Sequence, residues 1–155
     1  MGAYKHVILR TMKTFATNRR ARYDYQLDDS VLAGLALSGS EVKSIRANHV
    51  SLKGSFVVIN NGELFLRGAL INRYPPSAQR NHEPERDRKL LVTKRQLESF
   101  TIVRQKGSYI VPLRLVEKRG FIKLEIAAGR SKKQYDKRET IKKRDQQRHI
   151  ERQLS

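Results

Sequence analysis

The stretch Phe56-Val57-Val58-Ile59, Asn60-Asn61-Gly62, Glu63-Leu64-Phe65-Leu66 constrains the fold more than any other part of this chain. An Asn-Gly pair accepts the positive backbone angles of a tight turn, and here it lies between two apolar runs of strand length, so the segment predicts a β-hairpin. A second hairpin is expected later. Val111, Leu113 and Leu115 alternate along one strand, Lys118-Arg119-Gly120 turns, and Ile122, Leu124 and Ile126 alternate with Lys123 and Glu125 along the next. Pro112 has no amide to donate, so it belongs where the ladder requires none.

The remaining pattern is of short strands with two helical interruptions. Tyr25 and Leu27, then Ala33, Leu35 and Leu37, give two early strand segments. Asp28-Asp29-Ser30 reads as a turn, and Gly34 as a bend or a close backbone approach. Ser38-Gly39-Ser40-Glu41 has capping-box spacing and starts a helix through Val42, Ile45 and Arg46. Val42 and Ile45 are expected inward, Lys43 and Arg46 on a more exposed face, and Glu41 as a structural cap. Ala69-Leu70-Ile71 begins a strand, followed by a long loop from Asn72 to Lys89 with Pro75, Pro76 and Pro84. Leu90-Leu91-Val92 is a short strand, and Thr93 caps a helix whose inward pair is Leu97 and Phe100. Six or so strands with these helices predict a mainly β fold, a small closed or partly open antiparallel barrel. Such barrels often bind oligonucleotides.

The 155 residues suit one domain with appendages, and 33 Lys and Arg against 15 Asp and Glu give a net charge of +18. That excess implies salt-sensitive attraction to phosphate, in RNA, DNA or an anionic membrane. No apolar run approaches the ~20 residues of a membrane-spanning helix. Tyr4-Lys5-His6-Val7-Ile8-Leu9-Arg10 is too short and too charged for a signal-peptide core. No acid precedes Asp24, a pattern shared by transit peptides and by basic disordered arms. The absence of Cys removes disulfides, thiolate chemistry and Cys-based zinc sites. From Arg130 to Ser155 the only sizeable apolar residues are Tyr135, Ile141, Ile150 and Leu154, and Ile141 and Ile150 fall on opposite helical faces. Such a run reads first as a solvated tail, although its residue types favour helix once ordered. The expected organisation is a basic arm at 1–17, a barrel at 18–129 and a basic tail at 130–155.

Catalytic constellations are not visible. His6, His49, His82 and His149 are scattered without ligand spacing, and His82 reads as an exposed loop residue that touches phosphate or has no task. No phosphate-binding loop or nucleophile elbow occurs. Paired carboxylates could in principle come from Asp24, Asp28, Asp29 or Glu41, but no convergent groups are visible, so the expectation is no enzyme, no metal and no cofactor. Lys53-Gly54-Ser55-Phe56-Val57 approaches the RNA-stacking strand of an RRM domain, but Ser55 breaks the match. With no Trp and 7% aromatic residues, recognition of a folded RNA by backbone and shape is favoured over stacking along one strand.

Four segments then carry a family resemblance: Asn18-Arg19-Arg20-Ala21-Arg22; Gly39-Ser40-Glu41-Val42-Lys43-Ser44-Ile45-Arg46; His82-Glu83-Pro84-Glu85-Arg86-Asp87-Arg88-Lys89-Leu90-Leu91; and Lys132-Lys133-Gln134-Tyr135-Asp136-Lys137-Arg138. In this order and spacing the chain resembles the SmpB family from Asn18 to Arg144. The resemblance implies an OB-fold barrel of six antiparallel strands with about three helices, in a cytoplasmic protein bound as a monomer to each transfer-messenger RNA (tmRNA). It implies binding to the tRNA-like domain of tmRNA and delivery to stalled ribosomes lacking mRNA, where the tail orders as a helix in the vacant mRNA channel of the small subunit. Trans-translation then tags the nascent chain and rescues the ribosome.

The residues expected to face tmRNA are Asn18, Arg19, Arg20, Arg22, Tyr25, Lys43, Arg46, Lys89 and Leu91, with a core role equally open for Tyr25 and Leu91. Those expected in the channel are Lys132, Lys133, Tyr135, Asp136, Lys137, Arg138, Ile141, Lys142, Lys143 and Arg144. Tyr23 and Phe56 are assigned to the decoding-centre side. The sequence departs from the family pattern at Leu32, where an acid is common, and at Tyr23, Phe56, Thr93 and Ser131. Ser131 replaces a flexible Gly, which leaves Gly129 as the expected hinge of the tail. Alternatives are a general single-strand RNA-binding module whose tail is electrostatic glue, and a metal-dependent nuclease near Asp24 and Asp28.

Overall fold

The computed structural model describes residues 12–77 and 79–154. The hairpin signal places two strands, β4 (Phe56–Asn60) and β5 (Glu63–Arg67), with Asn60 opposite Glu63. Asn61 and Gly62 take φ of 51° and 72°, the left-handed angles of the expected turn. The second hairpin is longer. β8 (Tyr109–Lys118) and β9 (Phe121–Ser131) meet at Arg119 and Gly120.

Around these are β1 (Thr14–Thr17), β2 (Tyr25–Leu35), β3 (Val50–Ser51), β6 (Leu70–Ile71) and β7 (Arg88–Leu91). The sheet order is β1-β8-β9-β2-β7-β5-β4, every pairing antiparallel, with β3 and β6 forming a separate two-stranded ribbon. The expected six-stranded barrel is thus corrected to a seven-stranded sheet, and no ladder joins its edges β1 and β4 among the described residues. The sheet nevertheless curls, because β4 lies against β8. The additional strand is β1, in the segment assigned from sequence to the basic arm. Its Phe15 is 7% exposed and sits in the main core. Residues 1–11 of that arm, with Tyr4 to Arg10, and Ala78 of the long loop lie outside the described residues.

The early strands also differ from expectation. Tyr25–Leu35 is one continuous strand, and Asp28-Asp29 form a register shift within it rather than a turn. A bulge exposes two carboxylates while the ladder to β9 resumes at Ser30. A second shift, between Pro112 and Arg114, interrupts β8 at the residue with no amide. It divides the expected row of inward residues: Val111 and Leu113 pack with Ala21 and Ala127 in a small cluster, while Leu115 joins the main core with Leu124 and Ile126.

Four α-helices occur among the described residues, α1 (Ala21–Asp24), α2 (Gly39–Arg46), α3 (Lys94–Gln105) and α4 (Gln134–Leu154), with a short 3-10 turn at Pro75–Ser77 in the long loop. The expected capping box is present, Ser38 with Glu41, and the expected cap Thr93 forms a second one with Gln96. Ile45 and Phe100 are buried, with Val42 and Leu97 partly so, as the helical spacing predicted. Each large aliphatic side chain so buried contributes about 1.5–3 kcal/mol.

Candidate nucleic-acid interface

Among the described residues, some basic side chains are buried in ion pairs and others are exposed to solvent. The first group centres on Glu41, whose carboxylate is fully buried. Arg88 Nε donates to Glu41 Oε2 at 2.7 Å, Arg86 Nε donates to the same oxygen at 3.1 Å, and the Arg86 fork closes on Oε1. Burial raises the Glu41 pKa, but the hydrogen bonds from Arg86, the Ser38 amide and Arg88 outweigh it and hold the carboxyl below its usual range. Burial dominates at Arg88 and lowers its pKa, with Glu41 opposing. The remaining Arg88 donors reach the carbonyls of Ala69, Glu83 and Pro84. One ion cluster therefore ties α2, β7 and the long loop together.

His82 belongs to the same loop and is corrected from exposed to buried, at 7%. Its Nε2 donates to the Ile71 carbonyl at 2.9 Å, and its Nδ1 shares a hydrogen bond with the Ser40 hydroxyl at 2.8 Å. The ring staples the loop to α2 and β6. No metal-holding group of His, Asp and Glu occurs among the described residues.

Of the residues expected to face RNA, Asn18, Arg20, Tyr25 and Phe56 line one groove of about 860 Å³. The structure adds Arg67, Arg104 and Tyr109 to it, which sequence reading missed. Tyr109 lies 5.6 Å from Tyr25 between ring centres, and the Arg104 guanidinium sits 4.9 Å from the Tyr109 ring. Burial, and then Tyr109, push the Tyr25 phenol pKa up, so it stays a neutral donor. The Asn18 amide donates to the Pro112 carbonyl at 2.9 Å and thereby ties the loop before α1 to β8. Arg20 pairs with Asp24 at 3.4 Å and lies 4.9 Å from the Tyr23 ring, and Arg19, Arg20 and Arg22 are all exposed.

Lys43, Arg46, Lys89 and Leu91 are not among the groove residues. The Lys43 ammonium sits 5.6 Å from the Tyr74 ring centre, and Lys89 pairs with Glu63 at 2.9 Å. Arg46 bonds the Glu117 carboxylate and the Gly120 carbonyl. Leu91 is 52% exposed and lies beside Gly34, where an added Cβ would come within 3.1 Å of the Leu91 Cβ. The close approach expected at Gly34 is thus present, and it leaves Leu91 standing free on the outer sheet face.

At the tail, the Lys132 amide donates to the Asp24 carbonyl at 3.0 Å and its ammonium donates to the Arg22 carbonyl and the Thr140 hydroxyl, each at 2.7 Å. α4 therefore starts from an anchor on α1 and runs 21 residues. Lys133, Arg138, Lys142, Lys143 and Arg144 are exposed and Ile141 is half-exposed. The side chains of Tyr135, Asp136 and Lys137 lie outside the described residues. Gly129 is not a hinge: it is buried in β9, and an added Cβ would meet Leu27, Tyr25 and Val111 at 3.1 Å each.

Residues 15–155 match the family described as SmpB protein. The chain is 48% identical to an SsrA-binding protein of Lactobacillus delbrueckii subsp. bulgaricus, over 88% of this chain and 90% of the relative. It is 45% identical to one from Halalkalibacterium halodurans, over 92% and 93%. A solved structure described as "tmRNA-SmpB: a journey to the center of the bacterial ribosome" contains a chain that is 42% identical, covering 76% of this chain and 84% of that one with a TM-score of 0.61.

Proposed function

The chain belongs to the SmpB family, and from that premise we propose that it binds the tRNA-like domain of tmRNA and delivers it to stalled ribosomes for trans-translation. The match across residues 15–155 carries the reading, since it spans both the sheet and α4. The curled sheet is read as an OB-type fold, with a binding task and no reaction of its own. Asn18, Arg19, Arg20, Arg22, Tyr25, Lys43, Arg46, Lys89 and Leu91 are proposed for the tmRNA side. Tyr23 and Phe56 are proposed to approach the decoding centre. The basic tail from Lys132 to Arg144 occupies the empty mRNA channel as a helix, and the protein works in the cytoplasm, one copy per tmRNA.

Selectivity tests this directly. Full-length protein titrated at physiological salt should bind a tmRNA tRNA-like domain far more tightly than bulk tRNA. Equal affinity for the two would reduce the protein to a general RNA-binding module.

A further inference from the structure

The direction in which α4 leaves the sheet is decided over very few residues. Tyr25 pairs with Ser131 at the end of the β2–β9 ladder, and the Lys132 amide adds one more rung by donating to the Asp24 carbonyl at 3.0 Å. Only Lys133 then separates that rung from Gln134, the first residue of α4. From Arg130 to Ser155 there is no Gly and no Pro, so neither residue type supplies a joint or a break there.

The Lys132 side chain closes the same corner. Its ammonium donates to the Arg22 carbonyl and to the Thr140 hydroxyl, each at 2.7 Å. A helix leaves its last carbonyls without partners of its own. In α1 two of them, at Arg22 and Asp24, are taken by this one residue. Thr140 lies on the second turn of α4, so a single ammonium bridges the end of α1 and the start of α4 through two charge-assisted bonds. Burial sets this lysine apart. Among the tail cations whose side chains are described, Lys132 alone is half-buried, and the others, Lys142 and Arg144 among them, are exposed. With two of its three donors used within the chain, Lys132 has little left for a phosphate.

We propose that Lys132 is a positioning residue, a latch between α1 and α4 that fixes the direction in which α4 projects and so aims its exposed cations along the mRNA channel. For the channel the proposal rests on the functional reading above. It changes the part given to Lys132, from contacting the ribosome to aiming the helix that does. Because α1 also carries Arg20 and Arg22, the latch joins the segment proposed for tmRNA to the segment proposed for the channel.

Thr140→Val is the most informative variant, since it removes the hydroxyl and changes no charge. The chain has no Cys, so Lys94→Cys in α3 and Gln146→Cys in α4, both exposed positions, give two unique spin-label sites in the full-length protein. The free wild type should show one narrow distance between them. Thr140→Val and Lys132→Gln should each broaden it, lowering the latched-to-open ratio by about tenfold, the effect of losing one hydrogen bond to a charged group. The double variant should be no broader than Lys132→Gln alone, because both changes remove one interaction. Thr140→Ser keeps the hydroxyl and should keep the narrow distance. Tagging on stalled ribosomes should fall severalfold in Thr140→Val and Lys132→Gln and persist in Thr140→Ser, with the urea midpoint unchanged in all three. A wild-type distribution as broad as that of Thr140→Val overturns the latch. Tagging lost in Lys132→Gln but intact in Thr140→Val also overturns it, since Lys132 would then act only as a cation for phosphate. A urea midpoint that falls with Thr140→Val overturns the positioning role in favour of a purely structural one. Equal wild-type affinity for the tRNA-like domain and bulk tRNA removes the functional reading, and the distance distributions still decide the latch.

Discussion

The Glu41 cluster and helix α4 are both rich in charge and are built in opposite ways. In the cluster, Glu41 and Arg88 are fully buried and each polar atom is matched; no buried side-chain nitrogen or oxygen lacks a partner among the described residues. In α4, most described side chains face solvent, and the anchor is Lys132 just before its first turn. Burial turns charge into a folding constraint, because an unmatched ion in a dry site is costly. Solvation leaves charge free to exchange counterions for phosphate. Net charge alone would not separate the two; burial does.

Breaking the cluster should have the largest effect on stability. Glu41→Ala strands two guanidinium groups, one of them fully buried, and should cost about 3–5 kcal/mol, read as a lower urea midpoint. Removing residues 134–155 should leave that midpoint unchanged. Acid sharpens the same contrast. The folded-state pKa of Glu41 lies below its unfolded value of about 4.3, so its contribution is complete above that value and is lost as pH falls through the folded pKa. Wild type should therefore lose urea resistance below about pH 4, and Glu41→Gln should be less stable at neutral pH with a shallower acid slope. The smallest effect is at an exposed cap: Thr93→Ala removes the hydroxyl that takes the Gln96 amide and should cost about 1 kcal/mol by urea unfolding.

What was readable in the sequence follows the range of the interactions. The Asn61-Gly62 turn and the Ser38 and Thr93 caps were legible because their partners lie within three residues. Arg88 was not, because its partner Glu41 is 47 residues away and a lone Arg in a polar loop resembles a solvated one. His82 was misplaced for the same reason, its partners being Ser40 and Ile71. β1 was hidden because one buried Phe15 in a four-residue strand gives no periodicity. The candidate RNA groove was half legible: Asn18, Arg20 and Tyr25 lie close together in sequence, whereas Arg104 and Tyr109 come from the end of α3 and the start of β8. Only folding brings those together.

Paired charge at Glu41 holds the fold, and the proposed ribosomal contact rests on exposed cations of α4 such as Lys142, Lys143 and Arg144. A cut after Lys133 tests it most directly, because it keeps the Lys132 anchor on α1 and removes α4. The truncated protein should bind the tRNA-like domain of tmRNA as tightly as the full chain and fail to support tagging on stalled ribosomes. Normal tagging by the truncated protein would contradict the account.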